Sequence, residues 1–166
     1  MNSSVLIRNS NPDEHHVHDS DPEQPLYRVR FTYSQGWSVR FGGEGSTESR
    51  HFFFAEGECT GRITGRFRGA NHPLQRGDGT LQPDFQGIIE STDGAVTYFD
   101  YQGYGRTYPA GRRQIVSSAT HVSDHEQYRW LNDVVCVSIG EVRARGGSPT
   151  ELVLDVAELI WQPIPE

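Results

Sequence analysis

The sequence contains no lysine: all 15 basic residues are arginines, against 22 acidic residues. Without a lysine, the chain has neither a Schiff-base nucleophile nor the lysine of a phosphate-binding loop. The single methionine is the first residue, so the rest of the chain offers no thioether ligand. The net charge of -7 argues against a nucleic-acid partner, because that binding depends on cationic side chains that displace counterions.

The motifs of several large enzyme classes are also absent: G-x-S-x-G, G-x-G-x-x-G, H-E-x-x-H and the Walker sequence. Their absence argues against classical serine hydrolases, nucleotide-dependent enzymes and zinc peptidases. Cys59 and Cys136 stand far apart in apolar segments and form no C-x-x-C pair. We therefore expect two buried free thiols, and neither a metal nor a cofactor.

Residues 1–25 are rich in Asn, Ser, Asp, Glu, His and Pro, with too few apolar side chains to offset the entropy cost of ordering the chain. They predict a disordered N-terminal arm, followed by one domain over residues 26–166. The apolar run at residues 5–7 is too short for a signal peptide or a membrane span. A cytoplasmic protein without a membrane partner is therefore expected.

From Leu26 onward, apolar and polar side chains alternate, which is typical of strands with one buried face. A second alternating row runs from Cys59 to Phe67 with two glycines on its apolar face, which suits one tightly coiled strand. Further strands are predicted over residues 84–90, 95–101, 114–120, 134–142 and 152–161. Short strands separated by Gly- and Pro-containing turns indicate a barrel or a sandwich, and we predict an all-β antiparallel barrel.

One short helix interrupts the predicted strands. Residues 123–126 (SDHE) form a capping-box sequence, in which Ser123 caps the helix and Glu126 reaches back to it. The helix is predicted to be about two turns long, with the side chains of Tyr128, Trp130 and Leu131 packed against one end of the barrel.

Three segments occur in a characteristic order: residues 87–95 (GIIESTDGA), 128–132 (YRWLN) and 154–159 (LDVAEL). In these segments the chain resembles a bacterial family of small uncharacterised proteins, whose members are similar to calycin-like β-barrels. The resemblance covers residues 27–161 and implies the barrel fold, but no agreed activity. Small trimeric barrels that demethylate phenazines without a cofactor are more remotely similar. Asp84, Trp130, Asn132 and Glu158 stand where the family pattern has the same residue types.

The last predicted strand contains a candidate acid-base group. Glu158 shares one face of the strand with the apolar residues Leu152, Leu154 and Val156. If this face lines the barrel, burial raises the pKa of Glu158 towards neutrality and makes it a general acid or base. Alternatively, Glu158 forms a structural ion pair with an arginine of residues 62–68. If the opposite face lies inside, the same two interpretations apply to Asp155.

Two more residues are candidates for proton transfer. His121, at the end of a predicted strand, is a candidate second proton carrier, or else a structural hydrogen-bonding residue. Asp84, at the start of another strand, is a candidate orienting carboxylate, or else a turn residue. His72 precedes a proline in a predicted loop and is a candidate ligand contact.

Aromatic and cationic side chains supply candidate ligand contacts. Tyr101 and Tyr104 are predicted to stack on a flat ligand and to orient it with their hydroxyls, although core packing explains such residues equally well. Arg106, Arg112 and Arg113 are candidates for holding a carboxylate, or else are solvated. Trp130 and Asn132, from the YRWLN segment, complete the predicted binding residues.

Two functional hypotheses follow. The first is a cofactor-independent enzyme of isomerase, cyclase, lyase or demethylase type, in which Glu158, His121 and Asp84 act on an aromatic or polycyclic substrate in the barrel cavity. The second is a lipocalin-like protein that binds a small hydrophobic or aromatic molecule without turnover. Because barrels with exposed rims often associate, a homodimer or homotrimer is expected.

Overall fold

The computed structural model describes residues 25–107, 113–144 and 150–159. The arm predicted at residues 1–25 therefore lies outside the described residues, except for Pro25. In the described ranges the elements are β1 (Tyr27–Arg40), β2 (Ser49–Gly61), β3 (Gly65–Asn71), β4 (Leu74–Gln75), β5 (Leu81–Gln82), β6 (Asp84–Ser91), β7 (Val96–Arg106), β8 (Gln114–Val122), a 3₁₀ helix (Arg129–Asp133), β9 (Cys136–Arg143) and β10 (Glu151–Glu158). No helix in these ranges has the length and apolar character needed to cross a membrane.

Eight of the described strands close into an antiparallel barrel. They pair in the circular order β1, β2, β3, β6, β7, β8, β9, β10, and β10 returns to β1. At the point of closure, Tyr27 of β1 lies between Gly61 of β2 and Val156 of β10. The short β4 and β5 form a hairpin that pairs with β2 and β7 at one end of the barrel. The predicted all-β antiparallel barrel is confirmed.

The alternation of side chains decides which residues fill the barrel. In β1, Tyr27, Val29 and Phe31 are buried, whereas Arg28 and Arg30 are exposed on the outer wall. Removing an apolar side chain of this size from water contributes about 1.5–3 kcal/mol to folding. The period-two pattern therefore specifies the inner and outer faces of the sheet.

An aromatic layer fills the middle of the barrel and separates its two ends. It consists of the mutually packed rings of Phe31, Phe67, Phe85 and Phe99. The rings of Phe67 and Phe99 are stacked with centroids 4.5 Å apart, and Phe85 meets Phe99 edge-on at 5.3 Å. Both arrangements are favoured by the aromatic quadrupole.

The prediction of one strand from Cys59 to Phe67 was wrong. β2 ends at Gly61 and β3 begins at Gly65, so this segment is a hairpin. Gly61 has a φ of +142°, a backbone conformation that side chains disfavour. Because the turn residue Ile63 is buried together with Cys59 and Phe67, the alternating pattern continues through the turn and hides it.

The predicted two-turn helix is a shorter 3₁₀ helix over Arg129–Asp133, and Ser123 does not cap it. The Ser123 hydroxyl instead donates a hydrogen bond to the carbonyl oxygen of Val96, at 2.9 Å. The Asn132 side chain fixes the connection, since its Oδ1 accepts from the Ser123 backbone N–H at 2.8 Å and its Nδ2 donates to the Ser123 carbonyl at 3.0 Å. Leu131 is completely buried against the barrel end, as predicted.

Candidate functional site

A cavity of about 230 Å³ occupies the barrel end opposite to the 3₁₀ helix. Its walls are mainly inward-facing apolar and aromatic side chains, among them Phe31, Phe53, Phe85, Ile115, Leu152 and Leu154. Pockets for drug-sized ligands measure roughly 300–1,000 Å³. The cavity therefore suits one small ring system.

Three buried polar side chains from three strands are linked by hydrogen bonds, and one of them, Tyr101, lines the cavity. Tyr101 of β7 belongs to the lining and is 2% exposed. Its hydroxyl is hydrogen-bonded to the hydroxyl of Tyr27 in β1. The Tyr27 hydroxyl also lies 2.7 Å from Nε2 of His121 in β8. A chain of hydrogen bonds thus leads from the cavity into the barrel interior.

Burial keeps all three side chains uncharged at neutral pH. Desolvation lowers the pKa of His121 from 6.5 to about 4. Desolvation also raises the pKa of Tyr27 well above its ordinary value, with a further contribution from Tyr101, and it raises the pKa of Tyr101 as well. The three hydrogen-bonded side chains are therefore a neutral imidazole and two neutral phenols.

The unpaired nitrogen of His121 indicates which group donates and which accepts in each of these hydrogen bonds. Within the described part of the protein, the buried Nδ1 has no hydrogen-bond partner. A buried N–H without an acceptor is rarer than a buried acceptor without a donor, so we assign the proton to Nε2. His121 then donates to Tyr27, Tyr27 donates to Tyr101, and the hydrogen of the Tyr101 hydroxyl is not used within these three residues.

Polar side chains nearer the mouth, which is the open end of the cavity, are already paired with one another. His51 places its Nδ1 2.6 Å from the Ser38 hydroxyl and its Nε2 3.0 Å from the Ser49 hydroxyl. The Asn71 amide donates to the Tyr33 hydroxyl at 2.7 Å. Burial raises the pKa of Tyr33 to about 12, so this phenol is also protonated at neutral pH. These pairs shape the mouth.

Glu158 lies at the opposite end of the barrel from the cavity. It is the last residue of β10 and continues the inward row of Leu152, Leu154 and Val156, where Cys136 is its cross-strand neighbour. Burial raises the pKa of Glu158, and the positive charge of Arg62 opposes that rise. The Arg62 guanidinium itself lies over the Trp130 ring, 4.4 Å from its centroid. The aromatic layer separates this group from the cavity.

Tyr104 and Arg106 lie on the outer wall of β7. The Arg106 guanidinium lies 4.8 Å from the centroid of the Tyr104 ring, and that tyrosine is 37% exposed. Because side chains alternate along a strand, the separation of three residues places Tyr101 and Tyr104 on opposite faces. The two tyrosines therefore do not form one platform.

Asp84 and His72 also lie outside the cavity lining. Asp84 begins β6, and the next residue, Phe85, points into the barrel, so Asp84 points outward. The His72 ring packs at 4.7 Å on Phe52, and its backbone N–H donates to the Asp84 carbonyl at 2.8 Å. Both residues thus belong to the outside of the mouth.

Of the predicted site residues that the structure describes, it brings His121 and Tyr101 together, and Arg113, a predicted carboxylate contact, also lines the cavity. Trp130 and Asn132 belong to the closed end, where Trp130 packs against the core and Asn132 fixes Ser123. Tyr27 was missed, because in the sequence it is one more aromatic residue in an apolar row. Only the observation that such a tyrosine needs a partner for its hydroxyl could have singled it out.

Cys59 and Cys136 are buried free thiols, which confirms the prediction for them. Burial raises the pKa of Cys59 to about 11 and that of Cys136 to about 12, so neither is a thiolate at neutral pH. Over the described residues, no group of three or more His, Cys, Asp or Glu side chains could hold a metal ion.

A family model described as "Protein of unknown function (DUF3237)" matches residues 23–159 of the chain. The chain belongs to the DUF3237 family. The predicted relation to a family of uncharacterised proteins is confirmed at this level. No protein of curated function matches the sequence.

The DUF3237 chain is similar in fold to several solved structures. A β-barrel-like protein from Acinetobacter baumannii AYE has 18% identity and a TM-score of 0.66, covering 86% of this chain and 100% of that one. A conserved protein of unknown function from Rhodopseudomonas palustris has 18% identity and a TM-score of 0.63, covering 82% and 95%. An enzyme from Penicillium herquei has 17% identity and a TM-score of 0.52, covering 84% and 99%. At these identities the likeness establishes the fold alone.

Proposed function

We propose that this DUF3237 barrel is a cofactor-independent enzyme of isomerase, cyclase, lyase or demethylase type, acting on a small aromatic or polycyclic molecule in the cavity. One observation carries the proposal. Tyr101 lines an apolar cavity, and its hydroxyl ends a hydrogen-bond chain through Tyr27 to His121. The similarity in fold to an enzyme from Penicillium herquei supports catalysis on such a barrel.

In the proposed mechanism, Tyr101 donates its hydrogen bond to a carbonyl oxygen of the substrate. When solvent hydroxide, entering at the open end, takes a proton from the carbon next to that carbonyl and becomes water, negative charge develops on the carbonyl oxygen in the transition state. A fixed donor in an apolar cavity stabilises this charge strongly, because no water competes for it. Tyr27 and His121 are positioning residues, since they orient and polarise the Tyr101 hydroxyl without contacting the substrate.

The second candidate is a lipocalin-like protein that binds the same molecule without turnover. The observation that favours it is the composition of the described cavity lining, which contains no Asp or Glu to remove a proton from carbon. In that case Tyr101 holds the ligand carbonyl and leaves it unchanged.

A bicyclic aromatic ketone, 2-acetylnaphthalene, tests the proposal. We expect the protein to lower the C=O stretching frequency of the bound ketone and to accelerate exchange of its methyl protons in D₂O. The Tyr101→Phe substitution removes one hydroxyl, so it should abolish the frequency shift and slow exchange about 100-fold, as does the loss of one oxyanion-hole donor. Infrared and proton NMR spectra measure the two effects.

Tyr104→Phe is the matched control, because it removes a hydroxyl from the outer wall of the same strand; it should behave like the wild type. A bound ketone with a shifted C=O frequency but unaccelerated exchange would favour the binding protein over the enzyme. An equal frequency shift in the wild type and in Tyr101→Phe would contradict the donor role of Tyr101.

A further inference from the structure

Among the described residues that line the cavity, one side chain, that of an arginine, carries a permanent charge. Arg113, immediately before β8, carries a positive charge, and the described lining contains no Asp or Glu that could neutralise it. This is the reverse of the chain as a whole, which has 22 acidic against 15 basic residues. An apolar cavity with a single cation at its mouth attracts a ligand that carries a negative group.

Neighbouring residues hold Arg113 at the mouth. Its backbone carbonyl accepts a hydrogen bond from the Val142 N–H, at 3.0 Å. Its side-chain stem passes over Gly105, where an added Cβ would lie 3.8 Å from Cγ and Cδ of the arginine. The charge of Arg113 also lowers the pKa of Tyr33, against the larger rise caused by burial. Arg113 is exposed to solvent at the mouth, and it also belongs to the cavity lining beside Tyr33.

In the described part of the protein, Arg113 has no carboxylate partner of the kind that arginines on the outer wall have. Arg28 pairs with Asp155 at 2.6 Å, and Arg68 pairs with Glu90 at 2.5 Å. In the ranges that the structure describes, no carboxylate forms such a pair with Arg113. The planar set of N–H donors on its guanidinium is thus available to a ligand.

We propose that the ligand of this cavity is an aromatic carboxylate, whose carboxylate binds Arg113 at the mouth while its ring system lies in the apolar interior. This inference rests on the proposed function, because it names the substrate class of the same cavity. A guanidinium and a carboxylate fit through two parallel N–H···O hydrogen bonds. Arg113 is then a specificity-determining residue at the mouth, and Tyr101 acts within the cavity.

Two probes of nearly equal shape, 2-naphthoate and the neutral 2-naphthamide, test the inference by titration calorimetry. We expect the wild type to bind 2-naphthoate about tenfold more tightly than 2-naphthamide, as a charge-assisted hydrogen bond provides. In Arg113→Gln this preference should vanish, because the carboxylate of 2-naphthoate loses its charged partner. Arg106→Gln, on the outer wall, is the matched control and should keep the preference.

The outcomes separate this inference from the proposed function. Equal wild-type affinities for the two probes, with 2-naphthamide still bound, would overturn the carboxylate assignment and leave the cavity function in place. A preference for 2-naphthoate that persists in Arg113→Gln would also overturn it. If neither probe binds the wild type, the proposed function fails together with the inference.

Discussion

The two ends of the barrel are built from the same alternating strands, yet one end is filled and the other is hollow. At the closed end, Leu26, Ile63 and Leu131 are completely buried and the 3₁₀ helix contributes to the packing. At the open end, inward side chains surround a cavity, and one inward position is Gly105. The comparison teaches that the depth of a residue along its strand, and not its face alone, decides whether it belongs to the core or to the site.

The largest expected effect is a difference in stability between leucine truncations at the two ends. Leu131→Ala leaves a void in the filled end and should lower the free energy of unfolding by about 2–5 kcal/mol. Leu81→Ala removes a partly buried side chain from the wall of the existing cavity, so its cost should stay below about 1.5 kcal/mol. Urea unfolding measures both values, and equal losses would contradict the contrast.

The second expected effect is a pH dependence of stability that is caused by His121, at the boundary between the two ends. Its pKa is lowered from 6.5 to about 4, so between these values the unfolded state binds a proton that the folded state lacks. Stability should therefore be fully present above pH 6.5 and should fall as the pH drops towards 4, with His121 contributing up to about 3 kcal/mol.

In urea unfolding at several pH values, His121→Gln should lose this part of the pH dependence. His72→Gln, which changes a histidine on the outer wall, is the control and should follow the wild-type curve. An unchanged pH dependence in His121→Gln would show that the imidazole is not held neutral by burial.

The smallest expected effect is at Glu158, in the closed end. Burial raises its pKa, which means that its charged form is slightly unfavourable in the folded state. Glu158→Gln should therefore raise stability at neutral pH by less than about 1 kcal/mol. Binding of 2-acetylnaphthalene and its proton exchange should not change. A large decrease in the rate of this proton exchange would instead indicate that Glu158 is the acid-base group.

The sequence predicted the fold well, because alternation reports directly on the two faces of a strand. The alternation at the start of β1 indicated one buried face, and Tyr27, Val29 and Phe31 form that face in the structure. The sequence-based prediction missed the turn at Gly61, because Ile63 keeps the alternation in phase across the hairpin. It also predicted too long a helix, since the capping box at Ser123 is used to connect β8 to β7 instead.

The site was predicted less well, because alternation says nothing about distance along the barrel axis. It left open whether the face with Glu158 or the face with Asp155 points inward, and it could not show that the cavity lies at the other end of β10 from Glu158. It predicted Tyr101 and Tyr104 together, although their spacing of three already implied opposite faces. The bond partners of Tyr27 lie 74 and 94 residues away in sequence, and only strand pairing brings them to it.

The pairing of β1 with β10 has a practical consequence for the orientation of the molecule. Tyr27, where β1 begins, lies opposite Val156, near the point where β10 ends, and both are at the filled end. A surface tether joined at either of these strand ends would therefore hold the barrel with its mouth facing solution. Immobilised in this way, the protein would present its ligand entrance to an analyte stream without any re-engineering of the strands.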